Sequence, residues 1–265
     1  MRQAKTGEPT MTKKIQSAVI YRGPSMLDGA PIVVIACKLS LSGKANRKTG
    51  EMVQTYIIRE DIHPTVAIRS GEDASICGDC VHRGEGFEGR TCYVSMNGVG
   101  SVFRAFIRGS YPEITPEECG RIAAGRMVRL GTYGDPAAAP AWVWQGLLAE
   151  AEGWTGYTHQ WRLPEAEALK GLCMASADCP EDAELAHSMG WRTFRVAAPD
   201  APSVGRETVC PASEEAGRKL QCVDCKACSG STGRRGSIRI AAHGYLISEK
   251  NLAALQNRIA VRLVA

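Results

Sequence analysis

A chain of 265 residues can bury a substantial core without cross-links, so its 11 cysteines call for a role other than disulfide stapling. Hydrophobic residues make up 44% and charged residues 23%, and no stretch is both long and apolar enough to cross a bilayer, which excludes the membrane-spanning classes. A formal charge of +4 permits an anionic partner without requiring one.

Met1 to Thr10 carry no apolar segment of the kind a secretory signal needs, which predicts a reducing cytoplasm and thiols that are free or metal-bound. Met11 reads as a second start, so residues 1–14 are expected to form an extension and residues 15–265 a single domain. Pro31 to Leu39 and Met52 to Ile58 read as strands, joined through a polar turn bearing Lys44, Arg47 and Lys48. Residues 70–100 are rich in Gly and Cys with little periodicity and read as an irregular insertion. Thr115-Pro-Glu-Glu118 has the pattern of a capping box and predicts a helix start.

From Met127 to Val196 short apolar runs alternate with amphipathic stretches. Strands are expected at Met127 to Tyr133, Trp154 to His159, Leu172 to Ser176 and Trp191 to Val196. Helices are expected between them at Pro140 to Glu152, with Trp142, Trp144, Leu147 and Leu148 on the apolar side, at Pro164 to Leu169 and at Glu181 to Met189. Such a β-α-β-α-β-α-β run demands a mostly parallel sheet, because each helix returns the chain in the same direction. The fold class is therefore α/β, with a TIM-like (β/α) full or partial barrel preferred and a second cysteine-rich insertion at 198–237. Ser248 to Leu263 reads as a terminal helix capped by Ser248.

Chemistry in parallel sheets gathers at the carboxyl ends of the strands. Those ends carry Asp135, His159 and Asp178, which are candidate acid–base groups, with Tyr133 and Ser176 beside them as candidate cofactor contacts. The competing reading makes Asp135 and Asp178 turn or cap residues ahead of Pro136 and Pro180.

The strongest local signal is Cys210-x11-Cys222-x2-Cys225-x2-Cys228. A C-x2-C-x2-C turn lets three sulfurs converge on one inorganic core while a fourth arrives from elsewhere, which suits a [4Fe-4S] cluster and equally a tetrahedral zinc, with His243 able to replace Cys210. A second group, Cys77, Cys80 and Cys92, offers three thiolates and leaves one metal position open, or forms a zinc knuckle completed by His82 or a distant cysteine; the two groups could also share one site. Cys37, Cys119 and Cys173 lie in apolar contexts and read as small buried hydrophobes, whereas Cys179, next to Asp178 at a strand end, is the one to watch for reactivity. Arg234, Arg235 and Arg239 follow the last cysteine in a Gly/Ser-rich segment and are candidate nucleic-acid contacts.

The order Cys77-x2-Cys80, Cys92-Tyr93, Arg129-x-Gly131-x2-Gly134-Asp135, Tyr157-Thr158, Ser176 and a C-terminal cysteine group resembles the phage family called gene product eighty-eight. It is also similar, more loosely, to phage proteins that look like degenerate radical S-adenosylmethionine barrels. The resemblance covers residues 75–230 and implies a phage origin, hence the host cytoplasm, a TIM-like barrel, a cluster near its mouth and S-adenosylmethionine as a candidate cofactor. The usual C-x3-C-x2-C signature of that cofactor's enzymes is not matched by Cys77, Cys80 and Cys92.

Three functions follow as expectations. The first is a cluster-bearing enzyme acting on a nucleotide or nucleic-acid base. A second is a guanine transglycosylase-like enzyme that modifies DNA and holds zinc through Cys222, Cys225, Cys228 and His243, as the resemblance to that family implies. The third is a non-catalytic nucleic-acid-binding protein whose metal sites staple its loops.

Overall fold

A computed structural model describes residues 14–40, 45–198, 200–232, 235–244 and 246–264. The expected extension therefore lies outside the described residues except for Lys14, as do Lys44 and Arg234. The strands are β1 (Ser17–Pro24), β2 (Pro31–Cys37), β3 (Val53–Arg59), β4 (Met127–Tyr133), β5 (Gly153–Thr155), β6 (Tyr157–Thr158), β7 (Met174–Ala177), β8 (Thr193–Ala197), β9 (Glu207–Val209) and β10 (Ser237–Ala241). The helices are α1 (Pro64–Ser70), α2 (Ala74–Cys77), α3 (Met96–Ile107), α4 (Pro116–Ile122), α5 (Ala141–Leu148), α6 (Pro180–Ser188), α7 (Cys222–Cys225) and α8 (Glu249–Val264).

The strands form two five-stranded sheets, ordered β1-β2-β3-β4-β5 and β6-β7-β8-β10-β9. Gly156 alone separates β5 from β6, so the stretch from Gly153 to Thr158 pairs with β4 at its start and with β7 at its end. The two sheets thereby run on as one open surface. β1 and β2 are antiparallel to their neighbours, and every pairing from β3 to the β9 edge is parallel. The α/β class is as expected, but among the described residues the strands close no barrel: β1 and β9 remain edges.

The local sequence explains most elements. β2 reads Pro-Ile-Val-Val-Ile-Ala-Cys and is buried on both faces, as a central strand's continuous apolar run requires. Thr115 caps α4 by accepting a hydrogen bond from the Glu118 amide at 3.1 Å, and Ser248 accepts from Asn251 at 3.2 Å ahead of α8. Trp144 and Leu147 pack in the core from α5, whereas Trp142, expected beside them, is 52% exposed and meets Tyr21 edge-on. The expected insertion at 70–100 is more regular than its composition suggested, since α3 begins within it. β9 and β10, absent from the sequence reading, add parallel strands at the far edge.

The sheet's inner face delivers the site. Gln54 and Tyr56, Arg129 and Tyr133, Thr155 and Tyr157, Ser176, and Phe194 and Val196 come from β3 to β8 in alternate positions, and all line one cavity of about 560 Å³. A surface whose successive strands point at one space curves around it.

Candidate metal and substrate cavity

The carboxyl end of β4 shows how the cavity wall is made. Gly131 (φ +62) takes a left-handed conformation at the irregularity where β4 pairs with β3, and Gly134 (φ +83) turns the chain so tightly that a Cβ would lie 2.7 Å from Ile57. The Asp135 amide then donates to the Ile76 carbonyl at 2.6 Å, fixing α2 and with it Cys77 against the sheet end. Gln160, just past β6, donates to the Cys77 carbonyl at 3.2 Å and to Asp79 at 2.8 Å. Farther along the same loop, buried Asp73 accepts from Arg83 at 2.6 Å and from Arg90 at 3.2 Å. The loop is thus fixed by buried polar contacts as well as by any metal.

The second cysteine segment is anchored just as closely. The Cys210 amide donates to Arg239 O at 2.7 Å, the Cys222 amide to Lys48 O at 2.9 Å, and the Gly156 amide to Cys228 O at 3.2 Å. Arg192 reaches the carbonyls of Ala227, at 2.8 Å, and Gly230, at 2.7 Å. α7 carries Cys222 and Cys225, and Lys226 ends it in the left-handed region (φ 52), which turns Cys228 inward.

Both cysteine groups face the same cavity: Cys77, Cys80 and Cys92 on one wall, Cys210, Cys222, Cys225 and Cys228 on the other. Within each group the sulfurs sense one another's charge. Burial pushes the thiols of Cys77, Cys92, Cys210 and Cys222 up, and that of Cys228 to about 12. Such buried groups stay as neutral thiols unless a cation faces them. Arg90 lies near enough to Cys77 and Cys92, and Arg129 to Cys222, to oppose that rise. A metal centre would supply the rest.

At the polar end of the cavity, past the ends of β6 and β7, His82, His159 and Asp178 converge. The His82 Nε2 atom lies 2.9 Å and the His159 Nε2 atom 3.6 Å from Asp178 Oδ1. Asp178 is nearly inaccessible, with 1% of its side chain exposed. Burial alone would raise its carboxyl, but the facing imidazoles of His159 and His82 outweigh that and hold it well below the usual range. For His159 burial works toward the neutral ring, while Cys80, 3.7 Å from Nε2, and Asp178 prevail and raise it well above the ordinary value.

Asp135 lines the cavity just past the end of β4. Its Oδ1 accepts from the Ala137 amide at 2.9 Å and its Oδ2 from the His159 amide at 2.7 Å, so it caps a turn and positions His159, while burial raises its carboxyl. Tyr133 and Ser176 line the cavity. Cys179 caps α6 through its sulfur, and burial raises its thiol to about 12. Cys119 and Cys173 are fully buried and Cys37 partly so, as small hydrophobes are. Arg239 sits within β10, not in a loop, and the Arg235 guanidinium donates to the Lys226 carbonyl. His243 lines the cavity but stacks on Tyr93 and bonds Ala241 O through Nδ1 at 2.9 Å.

The sequence reading missed Arg90, Arg262 and Thr91. Only Arg262 left a signal: with Arg258 it makes an i, i+4 basic pair on one side of α8. Arg258 donates to Val81 O at 2.7 Å and Arg262 to Asp178 at 3.0 Å, which fastens α8 over the 80–90 loop.

Searches against family models, curated proteins and solved structures return no match for this chain. Among the described residues no helix is long and apolar enough to cross a membrane.

Proposed function

We propose that this protein is an iron–sulfur metalloenzyme, of the phage type its motifs resemble, acting on a nucleotide or nucleic-acid base. The observation that carries the reading is that seven thiols from two distant stretches of chain line one cavity. The donor set fits the group: Cys210, Cys222, Cys225 and Cys228 would hold a [4Fe-4S] cluster, and Cys77, Cys80 and Cys92 a centre with one position open to the cavity. Tetrahedral zinc takes the same thiolate donors, and metal analysis separates the two. The open curved sheet is read as an incomplete TIM-like barrel.

A volume of about 560 Å³ suits a ligand of nucleotide size. Tyr93, Tyr157 and Phe194 offer aromatic faces to a base. Arg129 offers a cation to phosphate or carboxylate; its Nη2 donates to Tyr93 Oη at 2.5 Å, and its buried Nε has no hydrogen-bond partner. Tyr133 Oη is likewise buried and unpartnered on the same wall. When bound, the clusters supply electron transfer; the chain's own residues orient the substrate and exclude water. S-adenosylmethionine would occupy the same space if the loose barrel resemblance extends to chemistry.

Anaerobic purification with iron, sulfide and zinc analysis and an absorption spectrum tests this reading. Brown protein with iron and sulfide is expected. Colourless protein with stoichiometric zinc would overturn it and favour the transglycosylase-like alternative, for which base exchange on DNA is the assay.

A further inference from the structure

We infer that His82, His159 and Asp178 form a mononuclear binding site for a divalent first-row metal ion, open toward the cavity and bordered by Cys80, whose Sγ lies 3.7 Å from His159 Nε2. Their three ligand atoms lie within 4.8 Å of one another. Ligands at about 2.1 Å from one ion stand roughly 3.0 to 3.4 Å apart, and the Nε2–Oδ1 separations of 2.9 and 3.6 Å bracket that range. Two imidazoles and one carboxylate with a free position are the ligand set of catalytic zinc and of non-haem iron(II) sites.

The surroundings orient each ligand for this task. Thr91 Oγ1 lies 2.8 Å from His82 Nδ1, which fixes the ring with Nε2 toward Asp178. Arg262 occupies Asp178 Oδ2 at 3.0 Å and leaves Oδ1 as the coordinating atom. The Asp178 amide donates to Asp182 Oδ2 at 3.1 Å, and Asp135 holds the His159 amide. Asp182 also receives Arg162 and Arg262, which holds this carboxylate away from the ligand atoms. The site lies where three stretches meet: the 77–92 loop, the end of β6 and the end of β7. It does not depend on whether the cysteines hold iron or zinc.

Anaerobically purified full-length protein, dialysed against Zn²⁺ and separately against Co²⁺, tests the site by metal content per chain and by X-ray absorption at the zinc edge. One added equivalent with a nitrogen/oxygen shell and imidazole scattering is expected. His82→Ala and His159→Ala should abolish that equivalent, and Thr91→Val, which leaves every ligand in place, should weaken it about 10- to 100-fold. A Cys222→Ser/Cys225→Ser variant should lose the metal held by the Cys210–Cys228 group yet keep this ion, so that centre and this site fail or stand independently. An all-sulfur zinc shell in the wild-type protein, or unchanged stoichiometry in both histidine variants, would mean that the cluster is only a hydrogen-bonded His–Asp–His network. Should the histidine variants not fold, the wild-type absorption spectrum still decides.

Discussion

At β2 and β3 the side chains of Val33, Val34, Ile35, Ile57 and Ile58 are fully buried, and this end of the sheet is held by close-packed aliphatic groups. On the inner face around β8 and β10 the buried cluster is small: Met174, Ile238 and Ile240, together with Cys210 and Cys228. Two of its members are candidate ligands. The aliphatic end therefore packs a large core, whereas the inner face at the other end has few apolar groups beside its cysteines. The contrast teaches which end should come apart first when the proposed cysteine-held centre is removed.

Removing the proposed cysteine-held metal should open this contrast most widely. Structural centres of this kind contribute on the order of 10 kcal/mol to the segment they close. Chelation, or Cys222→Ser/Cys225→Ser, should therefore deprotect the amides of 207–228 and β10 in hydrogen exchange and leave β2 and β3 protected. Equal deprotection of both ends would erase the distinction.

The opposite perturbation is Ile57→Ala, which removes a fully buried side chain from the aliphatic end and should cost about 4 kcal/mol in denaturant unfolding with metal content unchanged. A further probe sharpens the picture at the cysteine-lined end. Arg195 in β8 and Glu207 in β9 form a buried pair at 2.8 Å that reaches across β10, so Glu207→Gln should cost about 3 kcal/mol and loosen β9 before the cysteine segment. The smallest expected effect is Thr115→Ala, which deletes the α4 cap for about 1 kcal/mol and should leave the cavity untouched.

The sequence was most legible where period and punctuation agree. The Met127 to Tyr133 strand, the Thr115 cap, the short turn of helix from Pro164 to Leu169 and the α6 stretch ahead of Gly190 all follow from local patterns. β9, three residues long, and β10, short and preceded by a glycine-rich run, gave no comparable periodicity, because their pairing partners rather than their own residues make them strands. Similarly, Trp142 continues the apolar run of α5 in sequence but lies on its outer side.

By itself the sequence determined the α/β class, the parallel run and the two sets of thiols as ligand candidates, since hydrophobic period and cysteine spacing are local properties of the chain. Only the tertiary structure decided that the sheet stays open, that both cysteine sets face one cavity, and that His82, Thr91 and Arg262 meet at Asp178. Those residues lie 84 and 96 positions from Asp178 for Arg262 and His82. No local pattern encodes a meeting of side chains so distant, because it arises only when the strand ends and α8 pack around the same space.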